Sequence, residues 1–124
     1  LAGALRPFAG LFGLNEAELT YTAPATGSTL AKLANGIADT PVTLAVKAHL
    51  RNERPVILAV SSNDALGANA GNIGRLLARR HHYFVPMRQD APQKKPRSVV
   101  ADFTQLLPTV EAALRGVQLQ PILL

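Results

Sequence analysis

Hydrophobic and polar positions alternate along this chain with two different periods. Leu19-Thr20-Tyr21-Thr22 alternates apolar and polar residues, is rich in β-formers and closes at Ala23-Pro24. This spacing predicts a strand. Leu30, Leu33, Ala34 and Ile37 then recur at i, i+3, i+4 and i+7, which is one apolar face of a helix. Thr26, Ser28 or Thr29 caps that helix, and Gly36 lies near its end. Asp39-Thr40-Pro41 restarts a helix, with Thr40 as N-cap and Pro41 at the first helical position. Val42, Ala45, Val46 and Leu50 form its apolar stripe.

The run Pro55-Val56-Ile57-Leu58-Ala59-Val60 is continuously apolar and rich in β-branched residues, so it predicts a strand buried on both faces. A polar, glycine-bearing loop follows from Ser61 to about Ala68. Asn69 caps the next helix, whose core face is Ile73, Leu76 and Leu77. Tyr83-Phe84-Val85 predicts another strand, closed by Pro86. Residues 88–97 are polar and proline-punctuated, hence a loop, and 98–102 form a short extended piece. The last helix buries Leu106, Leu107, Val110, Ala113 and Leu114 and stops at Gly116. The apolar tail from Val117 to Leu124 is expected to pack on something, a neighbouring protomer being one candidate. The order β-α-α-β-α-β-loop-α implies an α/β fold with a parallel sheet. In such sheets ligands bind past the carboxyl ends of the strands. The segments there are 23–29, 61–69 and 86–98, all rich in Ser, Thr, Asn, Gly and Pro.

Composition narrows the chemistry. The chain has 124 residues, enough for one domain and not two. With 48% apolar and 17% charged residues, extended disorder is not expected. The absence of Cys excludes disulfides, zinc–thiolate sites, iron–sulfur clusters and thiol nucleophiles. No apolar run approaches the roughly 20 residues of a membrane span, and no basic stretch precedes the apolar residues 1–14. A cytoplasmic, membrane-free protein is therefore expected. The formal charge of +5 is concentrated between Arg75 and Arg97, where seven Lys or Arg residues accompany one carboxylate, Asp90. Phosphates would suit that charge. Six aromatics and no helix-turn-helix pattern argue against nucleic acid as the partner.

Three loops can carry chemistry. In Ala23-Pro24-Ala25-Thr26-Gly27-Ser28-Thr29, small side chains let backbone amides approach a ligand at a helix N-terminus. A simple N-cap is the plainer reading. There is no Walker A lysine–serine pair, and Gly67, Gly71 and Gly74 lack dinucleotide-fingerprint spacing. In the loop from Ser61 to Asn69, Asn63 can hydrogen-bond a heterocycle edge or a carboxylate. Asp64 can act as acid, as base or as a turn cap. The loop from Pro86 to Ser98 binds an anionic small molecule or is simply solvated. His81 and His82 are adjacent and would face opposite sides of a strand, and His49 has no helical partner at i+4. No metal site is expected. Nothing like G-x-S-x-G appears, so a triad hydrolase is not supported either.

The segment Ala-Pro-Ala-Thr-Gly-Ser-Thr-Leu-Ala-Lys-Leu-Ala-Asn-Gly-Ile-Ala-Asp-Thr-Pro-Val-Thr at 23–43 resembles the hallmark of the flavin-dependent, decarboxylase-type flavoprotein family. In that family a similar A-P-A-T/S-x-N-T…A-x-G-x-A-D motif helps hold FMN. The segments at 61–69, 83–86, 89–98, 109–114 and 118–123 are similar to the dipicolinate-forming branch of the same family. The resemblance covers residues 23–124. It implies a flavodoxin-like three-layer α/β sandwich with FMN as cofactor, assembled as homo-oligomers with the flavin near a subunit interface. It also implies an oxidoreductase role, taking dihydrodipicolinate to dipicolinate in sporulation beside a nucleotide-binding A subunit. Thr26, Gly27, Ser28 and Thr29 match the FMN-contacting loop, and Ser62 and Asn63 match the second flavin-facing loop. Asp64 is added as a substrate candidate, as are Lys94, Lys95 and Arg97 on charge grounds alone. Ser28 stands where the family usually has Asn, and Met87-Arg88 where Phe-Gly is expected. Residues 1–22 do not resemble the family's first strand and Thr-Gly-Ser phosphate turn. The reading is therefore an atypical segment at 1–22 and a flavoprotein-like domain at 23–124 lacking the first βαβ unit. Two alternatives remain. One is an FMN-dependent decarboxylase of the same fold, disfavoured because its relatives use a catalytic Cys. The other is a non-catalytic protein that stabilises the A subunit.

Overall fold

A computed structural model describes residues 21–124. The expectations for 1–20, including most of the atypical segment and the start of the first strand, lie outside the described residues. The central element is β2 (Val56–Ser62), whose residues Val56 to Val60 are all buried. Strand geometry sends alternate side chains to opposite faces. On one face Val56, Leu58 and Val60 pack with Leu30, Leu33, Val46, Ile73 and Leu76. On the other, Ile57 and Ala59 pack with Val85, Ala101, Val110 and Ala113. A continuous apolar run is what a strand with a core on both sides requires, and each Val, Leu or Ile so buried contributes about 1.5–3 kcal/mol.

β1 (Tyr21–Ala25) lies parallel to β2 in register from Tyr21↔Val56 to Ala25↔Val60. β3 (His82–Phe84) is also parallel, pairing with Val56 to Leu58. The predicted parallel sheet stops there. β5 (Val99–Ala101) runs antiparallel to the end of β2, and β4 (Met87–Arg88) runs antiparallel to β5. The sheet is therefore mixed. The reason is local: the 89–98 segment holds no crossover helix, and without one the returning strand can only run antiparallel.

The first face carries three helices: α1 (Gly27–Ala34), α2 (Pro41–Arg51) and α3 (Ala70–Leu77). The second carries α4 (Leu106–Leu114), entered through a 3-10 turn at Phe103–Gln105. The result is a three-layer α/β sandwich. α2 begins as predicted: the Thr40 hydroxyl accepts from the Thr43 amide at 3.2 Å, and the Thr43 hydroxyl accepts from the Thr40 amide at 2.9 Å. α1 ends a turn earlier than the apolar spacing suggests, so Ile37 is left 47% exposed. Leu77 and Leu114 are likewise exposed at their helix ends, while α4 stops at Gly116 as expected. α2 closes differently. Glu53 takes a left-handed φ of 58, and its carboxylate pairs with His81 Nε2 at 2.6 Å.

Two long-range contacts tie the layers. Arg79, just past α3, donates from its guanidinium to the carbonyls of Leu33 (2.8 Å) and Ala34. A cation on the carbonyls of a helix end is favourable. The tail packs within the chain itself. Gln118 brackets buried Phe84, accepting from its amide at 2.8 Å and donating to its carbonyl at 2.7 Å. Ile122 adds to the core, and Leu123 bridges to Met87. Leu123 and Leu124 stay 71% and 51% exposed.

Candidate functional site

The chain leaves β1 and β2 at the same end of the sheet, because the two strands are parallel and in register. This brings the first two loops together. Thr26 is the N-cap of α1, with extended backbone, and its hydroxyl accepts from the Thr29 amide at 3.5 Å. Among the described residues the Gly27 and Ser28 amides have no protein acceptor, as expected in the first turn of a helix. Thr26 and Ser28 are exposed beside them.

Ser62 ends β2, and a hydrogen-bond chain starts there. Its hydroxyl donates to Asp64 Oδ1 at 2.6 Å. Asn69 Nδ2 donates to the same oxygen at 2.9 Å, and Asn69 Oδ1 accepts from Asn72 Nδ2 at 2.9 Å. The Ser62 hydroxyl, and next the Asn69 amide, hold the Asp64 carboxyl below its ordinary value, since both bonds favour the charged form. Gly27 abuts this chain. A methyl at position 27 would lie 2.7 Å from Asn69 Nδ2, 3.1 Å from Asp64 Oδ1 and 3.4 Å from the Ser62 hydroxyl. Only glycine lets the start of α1 come this close to the second loop.

The third loop meets the second at its far end. The Leu66 amide donates to the Arg97 carbonyl at 3.0 Å. The buried Ser98 hydroxyl points to Asn63 Oδ1 at 3.4 Å, and its nearness to Asp90 lowers that carboxyl's pKa. The Arg97 side chain lies across Gly67, where a methyl would stand 3.1 Å from its Cδ. Lys94 and Lys95 are exposed on the turn. Among the described residues no hydrogen bond or ion pair ties either side chain to 61–69.

The structure thus joins Gly27, Ser62 and Asp64 directly, brings Asn63 and Arg97 to the same rim, and leaves the two lysines outside. Asn69, predicted as a helix cap, makes no capping bond; it is the buried hub between Asp64 and Asn72. Sequence reasoning gives no part to Asn72, Gly67 or Ser98. The i, i+3 spacing of Asn69 and Asn72 is the one sequence signal for the first of them. The histidines serve the frame: His82 is buried with Nδ1 2.8 Å from the Arg80 carbonyl, and His81 faces Glu53. A groove of about 480 Å³, lined by Leu33, Ile37, Val46 and Leu50 with Lys47 and Arg51, lies at the other end of α1.

Known proteins are similar to this chain in sequence and fold. The family model described as Flavoprotein matches residues 14–89. The chain is 52% identical over 101 residues to the B subunit of dipicolinate synthase of Bacillus subtilis (strain 168), covering 82% of this chain and 50% of that protein. The crystal structure of the B subunit of dipicolinate synthase from Bacillus halodurans superposes with a TM-score of 0.81 at 52% identity. That match covers 82% of this chain and 52% of the other. The chain spans about half the length of the relatives it matches.

Proposed function

The chain belongs to the flavoprotein family, and from that premise we propose that it works as the flavin-bearing B-type subunit of a dipicolinate synthase. In this reading it takes FMN and forms a homo-oligomer in the cytoplasm, and its partner is a nucleotide-binding A subunit. Its reaction is the oxidation of dihydrodipicolinate to dipicolinate in sporulation. The observation that carries the reading is the junction at Gly27, where a helix start with two unclaimed amides abuts the chain Ser62–Asp64–Asn69.

The donor set fits the group. Thr26, Ser28 and Thr29 offer hydroxyls, Gly27 and Ser28 offer amides and Asn63 offers a carboxamide, while Ser62, whose proton goes to Asp64, offers its oxygen as an acceptor. Uncharged donors at a helix N-terminus suit the polar edge of a flavin's ring, while the phosphate turn that the family resemblance implies is not matched in residues 1–22. When bound, the flavin supplies the two-electron acceptor that the oxidation needs. Asp64 acts through others: its ionised carboxylate is committed to Ser62 and Asn69, so it orients the second loop. Lys94, Lys95 and Arg97 supply positive charge for a dicarboxylate. The exposed Leu123 and Leu124 support a contact with a second copy.

The test is an FMN titration of the purified protein, followed by visible absorbance and thermal shift, with FAD as a parallel arm. The expected result is a yellow protein with a raised Tm in FMN. Gly27→Ala, which must displace Asn69, should weaken FMN about tenfold or more, or about 1.4 kcal/mol. No spectral change and no thermal shift would overturn the flavin reading. If such a flavin-free protein still bound the A subunit, the non-catalytic role would be favoured.

A further inference from the structure

We propose that Arg97, seated on Gly67, is the residue that selects a dicarboxylate at this site, and that Lys94 and Lys95 contribute only background attraction. The inference rests on the flavoprotein reading above and deepens it by naming the group that reads the substrate.

Charge alone does not separate these three cations; their surroundings do. The backbone on both sides of Arg97 is fixed. The Pro96 carbonyl accepts from Gln89 Nε2 at 3.0 Å, the Arg97 carbonyl accepts from the Leu66 amide at 3.0 Å, and Ser98 is buried. The side chain is then laid along the second loop. A methyl on Gly67 would stand 3.1 Å from Arg97 Cδ, 3.5 Å from its Nη1 and 3.6 Å from the Asp64 carbonyl. Gly67 is thus the gap through which the arginine stem reaches the turn that carries Asn63 and Asp64. Among the described residues no carboxylate pairs with Arg97. Lys95 differs: it lies near enough to Asp90 to help lower that carboxyl's pKa. Arg97 is exposed, as the two lysines are, but its stem rests on Gly67 and no described carboxylate neutralises its guanidinium. Such a guanidinium can take a carboxylate through two parallel N–H bonds, which an ammonium cannot, and a stem already laid against the loop reduces the entropy lost on binding.

The experiment is isothermal titration of the FMN-loaded protein with pyridine-2,6-dicarboxylate and, separately, with pyridine-2-carboxylate. FMN affinity is measured for every variant. Arg97→Gln should weaken the dicarboxylate about 10- to 100-fold, as expected when a hydrogen-bonded charged group is lost, and should erase the preference over the monocarboxylate. Arg97→Lys should restore only part of it. Gly67→Ala should weaken it too, with FMN affinity unchanged. The double variant Lys94→Gln/Lys95→Gln should cost about threefold or less, as screened surface charges do, and Arg115→Gln serves as the charge-matched control. The inference is overturned if Arg97→Gln binds like the parent, or if the double lysine variant carries the larger loss. It also fails if the parent takes FMN but not the dicarboxylate, and the flavin reading then stands. If the dicarboxylate binds through Arg97 while FMN does not bind, the flavin reading fails alone.

Discussion

At the scale of single residues, burial decides which titratable groups respond to pH. His82 is buried beneath the sheet's edge, and desolvation, more than any neighbour, pushes its pKa below the ordinary 6.5. The Arg80 carbonyl opposes that shift, and Arg79 and His81 reinforce it. The unfolded chain therefore takes up this proton first as the pH falls. Stability is intact above about pH 6.5 and is lost as pH drops from there toward the folded value. The Tm of the parent should fall between pH 7 and pH 5, and His82→Gln should flatten that slope. A parallel slope in both proteins would remove His82 as the source. Asp64 and Asp90 also have lowered pKa values, so stability is lost in the same direction as the pH falls, in their case below the ordinary carboxylate range. Their lowered values keep them ionised into acid, which for Asp64 keeps the Ser62 hydroxyl committed as donor.

At the scale of elements, the start of α2 gives the cleanest test. Thr40→Ala removes one half of a reciprocal cap and should cost about 1 kcal/mol, read as a drop of roughly 3–5 °C in Tm for a domain of this size. Thr40→Ser should be close to neutral. This helix was legible in the sequence because its signals are local: a hydroxyl, a proline, then a stripe. β2 was legible for the same reason, as five consecutive apolar residues. The antiparallel β4–β5 pair was not. Two- and three-residue strands carry too little pattern, and their pairing depends on where the polar 89–98 loop brings the chain back. The site was half legible. Motif resemblance selected Thr26 to Thr29, Ser62 and Asn63. Asn69 and Gly67 matter through close approaches between segments some 40 and 30 residues apart, which no local spacing encodes.

At the scale of the whole molecule, the segment 117–124 covers the edge of β3 that does not face β2. Phe84 is fully buried, and its amide and carbonyl are both satisfied by one side chain, Gln118. Gln118→Ala leaves two buried backbone groups without partners, at about 1–3 kcal/mol each. Chemical denaturation should show a lower midpoint at an unchanged m-value, and Gln118→Glu should rescue only the amide half.

Arg79 has a consequence of its own. α1 and α3 touch near their starts through Gly27 and Asn69, and they are pinned at their far ends by the Arg79 guanidinium on the Leu33 and Ala34 carbonyls. Two rods fastened at both ends cannot scissor. The seating of Gly27 against Asn69 is therefore braced by a cation placed a whole helix length away. Loosening that distant rivet would relax the contact without altering either residue that makes it.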